Sequence, residues 1–504
     1  MLRDRTITGI PAPVLLALMV VLGAVSSLLV GRLGILAPIV VLLPIVSALI
    51  APRLLHQALG RLKVLRKQFT WWHALWFLVI ASGFQFRLRG DFAIHHEAVD
   101  AWALYRIGLM AITAAVLAIR LALKRGSRVR RGRLGPITAL AIYTAVCAAS
   151  TLWSVFPAWS LYKSVEYGVD VALLAATVAT FASAADFKKV FDWNWTLDGI
   201  LLGTVLLGAL LWPSEALTPS KGLISVQLNG VMPQMAANGV GQLSAILSVI
   251  AISRLLRRPS TGGGRAFYGV LLTVGLATMI IAQTRSAILG FACGLVLLLY
   301  FSKRMGTIAL VIAAATLLYS ATGARVTAEK YMRRGESPQL LSSLSGRTQW
   351  WAAGWQEFVK SPWRGMGAYT ARFTVLQELG QGDTSTIHNT YLEALLDVGG
   401  IGLIPLLVMI LWVWKILIRE LRDPLSSPAR RQLALEAVAV LGILTCRSFF
   451  TVNFIWHPEL DSLAILGYAA LLRRRRSTAP SRYRPEADRE GVLIASMLPT
   501  APRI

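Results

Sequence analysis

From residue 14 to residue 472 the chain keeps returning to apolar blocks, many close to the ~20 residues that a helix needs to cross a bilayer. Such blocks leave few folds open. Inside hydrocarbon the backbone N–H and C=O groups have no water to bond, so helices that satisfy their own backbone are the solution for segments of this length. The blocks place spans near 13–31, 34–52, 70–83, 99–123, 134–155, 161–183, 196–212, 237–256, 267–284, 287–301, 306–321, 388–414, 432–450 and 459–472. With 55% hydrophobic and only 15% charged residues among 504, the chain reads as an all-α polytopic membrane protein of about 14 transmembrane helices, within a range of 12–14. Cys147, Cys293 and Cys446 all fall inside apolar blocks and read as small core residues, neither a disulfide framework nor a zinc set.

The net charge of +26 raises the question of nucleic acid, and its distribution answers it. Alternate loops hold 34 of the 51 lysines and arginines, including KRGSRVRRGR at 124–133, RLLRRPSTGGGR at 254–265 and the RRRR tail. These basic loops lack interleaved aromatic residues, so no nucleic-acid partner is expected. By the positive-inside rule the basic side is cytoplasmic and both termini are inside. The surplus charge also favours anionic membrane lipids. Arg3 and Arg5 precede a long apolar stretch with no small-residue cleavage site, which reads as a retained first span.

On this division the chain falls into N-terminal membrane helices (1–321), a long outer loop (322–387), C-terminal membrane helices (388–472) and a basic, disordered cytoplasmic tail (473–504). The outer loop far exceeds an ordinary connection, which points to function or internal structure. From Arg347 to Lys360 its spacing suits an amphipathic helix with Trp351, Trp355 and Phe358 on one face, stopped by Pro362 and the Gly365/Gly367 pair. A second outer loop covers about 213–236.

Three residues stand out at the outer face. Arg285 sits in the tight turn of QTRSAILGF (283–291), Arg347 opens the amphipathic helix, and His388 heads the span that follows. Taken singly, Arg285 reads as a snorkelling end marker and His388 as an interfacial structural residue. Their convergence on one side changes the reading. The acids Glu336, Glu357, Glu378 and Asp383 are scattered and read as solvated loop charges. Glu166/Asp170 and Glu393/Asp397 are each spaced i, i+4 within spans. A proton relay through them would make a transporter or flippase, whereas pairing of the first two with Arg106, Arg120 or Lys163 is the plainer account.

The run from Ser345 to Leu403, with SGR and a following Trp, SPWRGMG and HNTYLEALLDVGGIG, resembles the signature of the O-antigen ligase and polysaccharide polymerase superfamily. TLWSVFPAWSLYKSV (151–165), AANGVGQLSAIL (236–247) and QTRSAILGF are similar to its other recurring segments, in the same order. The resemblance implies a bacterial inner-membrane glycosyltransferase whose periplasmic active site takes an undecaprenyl-diphosphate-linked oligosaccharide. It implies that Arg285 and Arg347 occupy the family's two essential arginine positions and His388 its essential histidine. Asn389, Arg364, Asn238 and Trp351, in the same segments, become candidate substrate contacts.

Those residue types suit the chemistry. Transfer of a sugar from a lipid diphosphate develops negative charge on the departing group, and guanidinium forks bind phosphate oxygens in pairs. A histidine held neutral by cationic neighbours can take the proton of the acceptor hydroxyl. Neither a metal nor a cofactor is expected. The acceptor is a lipid-linked repeat unit in a polymerase, lipid A–core in a ligase, or protein in a related branch; the compact loop favours a polymerase of exopolysaccharide or O-antigen.

Overall fold

The structure, a computed structural model, describes residues 69–84, 101–123, 135–181, 183–257, 262–320, 324–380 and 386–478. The spans expected near 13–31 and 34–52, most of the basic tail, and Asp383 lie outside these residues. The described chain is dominated by helices: α1 (Trp71–Gly83), α2 (Ala101–Leu123), α3 (Pro136–Ala149), α4 (Pro157–Thr180) and α5 (Lys188–Leu211). After a loop come α6 (Ala237–Leu256), α7 (Gly262–Ile281), α8 (Arg285–Phe301) and α9 (Met305–Ser320). The segment after α9 carries α10 (Ala324–Arg333) and α11 (Arg347–Lys360), and α12 (Thr390–Arg422), α13 (Pro428–Arg447) and α14 (Leu460–Thr478) complete the bundle. Five of them, α2, α5, α6, α12 and the Gly264–Ile281 part of α7, are long and apolar enough to cross a membrane. The 13 residues of α1 reach only about 20 Å, short of a ~30 Å hydrocarbon core.

Small residues let the helices close up. Gly290 and Gly294 of α8 face α13, where a Cβ at Gly294 would stand 2.7 Å from the Ala439 carbonyl oxygen. Cys293 and Cys446, distant in sequence, meet across this seam as free thiols with their sulfurs 3.4 Å apart. The i, i+4 acids of α4 have the plainer role. Glu166 pairs with Lys163 at 2.5 Å and Arg106 at 3.1 Å, and Asp170 with His457 at 2.6 Å. Arg120 lies over the Trp71 ring instead.

The loop over about 213–236 holds two short antiparallel ladders, β1 (Leu217–Pro219) with β2 (Val226–Leu228) and β3 (Gly230–Val231) with β4 (Gln234–Met235), in a chain that is otherwise mostly helical and fits an all-α membrane protein. One expectation is corrected. The amphipathic helix has the expected bounds, but its buried face is rotated. Trp350 joins Trp351 and Phe358 against the cluster of Val375, Leu376, Ile387, Leu392 and Leu396, while Trp355 is 52% exposed. The reason is Gly354, which brings the helix close to Leu392 and Leu396 and so turns its neighbour outward.

The glycine-rich turn also finds its explanation in α12. That helix breaks at Gly399 (φ 62°, ψ −163°), and the loop from Pro362 to Gly367 fills the break. Gly400 N donates to Pro362 O at 2.8 Å and Ile401 N to Trp363 O at 3.2 Å. In return Met366 N donates to Leu396 O at 2.8 Å and Gly367 N to Asp397 O at 2.9 Å. A Cβ at Gly399 would fall on the Trp363 carbonyl. The segment 151–165 braces the same loop, through Val155 N to Met366 O, Trp153 Nε1 to Arg364 O and Ser160 Oγ to Ala368 O.

Candidate functional site

Three helices begin at one cavity. Asn238 stands in the first turn of α6, Arg285 is the first residue of α8 and Arg347 the first of α11. All three line a space of about 550 Å³, with Arg334, Ser345, Gln227 and Asn229 also on its walls. Helix N-termini present unpaired backbone N–H groups and the positive end of the helix dipole, so their convergence favours an anion before any side chain is considered. The arginines add to that field.

Their engagement differs. Arg285 is heavily bonded: Nε donates to Met332 O at 2.6 Å, Nη1 to Ser345 Oγ at 3.2 Å, and Nη2 to Arg333 O at 3.3 Å and Glu336 Oε2 at 2.7 Å. Arg334 donates to Glu336 Oε1 at 3.0 Å and Gln283 O at 3.3 Å, and its Nε is buried without a partner. Arg347 makes one hydrogen bond, to Phe450 O at 2.7 Å, and no ion pair among the described residues. Burial first, then Arg334 and Arg285, pull its pKa down to about 10, which leaves it a cation at neutral pH. Glu336 is thus no solvated loop charge. It is the carboxylate of this candidate site, hidden from the sequence because Arg285 reaches it from 51 residues away on a different helix, while Arg334 shares its turn. Burial pushes its carboxyl upward, but Arg285, Ser345 and Arg334 outweigh that and hold it below the usual range.

His388 is not on the cavity wall but beside Arg347. It takes φ 56°, stacks on Trp350 with ring centroids 5.9 Å apart, and its Nδ1 is buried without a hydrogen-bond partner. Its pKa is lowered to about 3, by burial first and then by Arg347 and Arg447. The imidazole is therefore neutral, as expected, although the second arginine responsible is Arg447 and not Arg285. The preceding residue is clamped on both sides: Trp351 Nε1 donates to Ile387 O at 2.9 Å, and Ile387 N donates to Glu393 Oε2 at 2.9 Å. Trp351 and Glu393 fix the backbone that aims the histidine.

Two candidate contacts have other employment. Asn389 caps α12, its Oδ1 accepting from Tyr391 N and Leu392 N, both at 3.1 Å. Arg364 is exposed in the loop that fills the α12 break and is absent from the cavity wall. Asn238 keeps its place, half-buried at the cavity.

Arg447 escaped the sequence reading. It ends α13, is 1% exposed, and donates to Gln242 Oε1 at 3.0 Å, Ser286 Oγ at 3.1 Å and Asn238 O at 3.1 Å. It ties the starts of α6 and α8 together with neutral acceptors alone. The available signal was a lone arginine inside an apolar block.

Residues 267–407 match a family model described as O-Antigen ligase. The matched stretch contains Arg285, Arg334, Arg347, Trp351, Arg364, His388 and Asn389, but not Asn238 or Arg447. No curated protein matches the chain. The match supports the O-antigen ligase and polymerase superfamily and, in general terms, glycan transfer by a membrane-embedded enzyme.

Proposed function

We propose that the cavity holds the diphosphate of an undecaprenyl-linked glycan at the periplasmic face, and that the protein polymerises surface polysaccharide repeat units. The observation that carries this is the gathering of Arg285 and Arg347, each at a helix start, with Arg334 from the turn after α10 around one cavity, where Glu336 is their carboxylate partner among the described residues. In the step, the acceptor hydroxyl oxygen forms a bond to the anomeric carbon of the donor sugar. The bond from that carbon to the phosphate oxygen breaks, and its electron pair leaves with the lipid diphosphate. His388 takes the hydroxyl proton. Guanidinium groups stabilise the departing charge; loss of one such donor typically costs about 2.7–4 kcal/mol at the transition state. The bound dianion also offsets the arginine field on His388, which raises its basicity when the donor is present.

Deletion of the gene with analysis of the surface glycan tests this. Loss of chain length with single repeats retained supports a polymerase. Full-length polymer accumulating on the lipid carrier makes it a ligase acting on lipid A–core, and an unchanged glycan profile rejects both. Orientation is read separately by thiol labelling. Ser342→Cys, on the exposed outer segment, should react with an impermeant reagent in intact cells, while Leu425→Cys, 90% exposed between α12 and α13, should not.

A further inference from the structure

Glu336 occupies the arginines that the donor needs. Its two carboxylate oxygens reach Arg285 at 2.7 Å and Arg334 at 3.0 Å, and Ser345 donates to it at 3.0 Å. Arg334 is bent toward it by a left-handed backbone (φ 50°), and Gly335 between them is left-handed as well (φ 78°). The tight turn Arg334–Gly335–Glu336 thus presents a cation on the cavity wall and its neutralising anion side by side. A cavity with three arginines at a membrane surface faces a bulk excess of phospholipid headgroups, each with one phosphodiester charge. Without a counter-ion those headgroups would fill it.

We infer that Glu336 is a specificity-determining residue: an internal counter-ion on Arg285 and Arg334 that a diphosphate displaces and a phosphodiester headgroup does not. The inference rests on the donor-site reading above. A phosphodiester exchanging for Glu336 swaps one negative charge for another and gives up the proximity that an attached carboxylate enjoys. A diphosphate brings two charges, engages Arg285 and Arg334 together, and also reaches Arg347, which has no carboxylate partner to lose. Arg334 becomes a third phosphate-binding residue beside Arg285 and Arg347.

Inorganic pyrophosphate is the probe, titrated onto the purified full chain in phosphatidylcholine nanodiscs with and without phosphatidylglycerol. Wild type should bind it with an affinity that phosphatidylglycerol barely alters. Glu336→Gln should bind it about tenfold more tightly in phosphatidylcholine alone, the scale of a lost charge-assisted bond. That gain should vanish when phosphatidylglycerol is present. Ser345→Ala, which removes one hydrogen bond to the carboxylate, should move in the same direction by less, and serves if Glu336→Gln does not fold. Equal pyrophosphate affinity in wild type and in the folded variants, or equal competition by phosphatidylglycerol in all of them, overturns the counter-ion role. Pyrophosphate binding to none of them overturns the donor site itself, and the two failures are told apart by the wild-type titration.

Discussion

The charges around α4 and those around the cavity are balanced differently. Around α4, Arg106 and Lys163 meet Glu166, and Asp170 meets His457, so the positive groups have carboxylate partners. At the cavity, Glu336 pairs with Arg285 and Arg334, while Arg347 on the wall and the nearby buried Arg447 bond only neutral acceptors among the described residues. The first arrangement is complete in itself: removing a partner leaves a buried charge uncompensated. The second carries, among the described residues, a surplus of positive charge that the proposed diphosphate would neutralise.

The sharpest break of this contrast is at His388. His388→Ala should lower turnover by about 10²–10⁴-fold while pyrophosphate still binds, because the arginines remain. Native kcat/KM should fall as pH drops through the histidine pKa, since the neutral imidazole is the active form. With that pKa lowered to about 3 in the free protein, the acid limb should lie well below the ordinary 6.5. Near-normal turnover of His388→Ala with purified donor and acceptor would remove the base from the mechanism.

Lys163→Met should destabilise the protein by roughly 3–5 kcal/mol in denaturant or thermal unfolding, because Glu166 then lacks its nearest counter-charge. Arg347→Lys should do the reverse: melting unchanged or raised, turnover down about 10²–10³-fold, since lysine keeps the charge but not the planar fork. If Arg347→Lys melts early while Lys163→Met does not, the assignment of the two clusters is inverted. The smallest effect belongs to Asn389→Ala, which loses a helix cap worth about 1 kcal/mol and leaves turnover within a few-fold of wild type.

The sequence made the scaffold readable where the signal is periodic or local. The bounds of α11 follow from apolar spacing and Pro362, and the pairing of Glu166 with Lys163 follows from i, i+3 geometry on one helix. Arg285, Arg347 and His388 are legible as candidates because each lies at a polar turn beside an apolar or amphipathic segment. What stayed hidden depends on distant elements. Glu336 looks like any loop acid until Arg285 comes to it, and Arg447 was absorbed in an apolar span. Trp351 and Asn389 become candidate substrate contacts because they lie in the segments that resemble the family. Their actual bonds, to Ile387 O and to the α12 backbone, require knowing where the chain turns. Arg364 likewise marks a loop whose backbone is what matters.

That loop has a consequence for engineering. The segment from Pro362 to Gly367 supplies the hydrogen-bond partners for a gap in α12, and α12 supplies partners in return. Neither piece is a self-contained module. A chimera that exchanges the outer loop between relatives and ends the graft before His388 separates two halves of one backbone network. The graft that respects the architecture runs from the end of α11 through Ile401, so that the loop is transplanted together with the part of α12 that completes its backbone bonds.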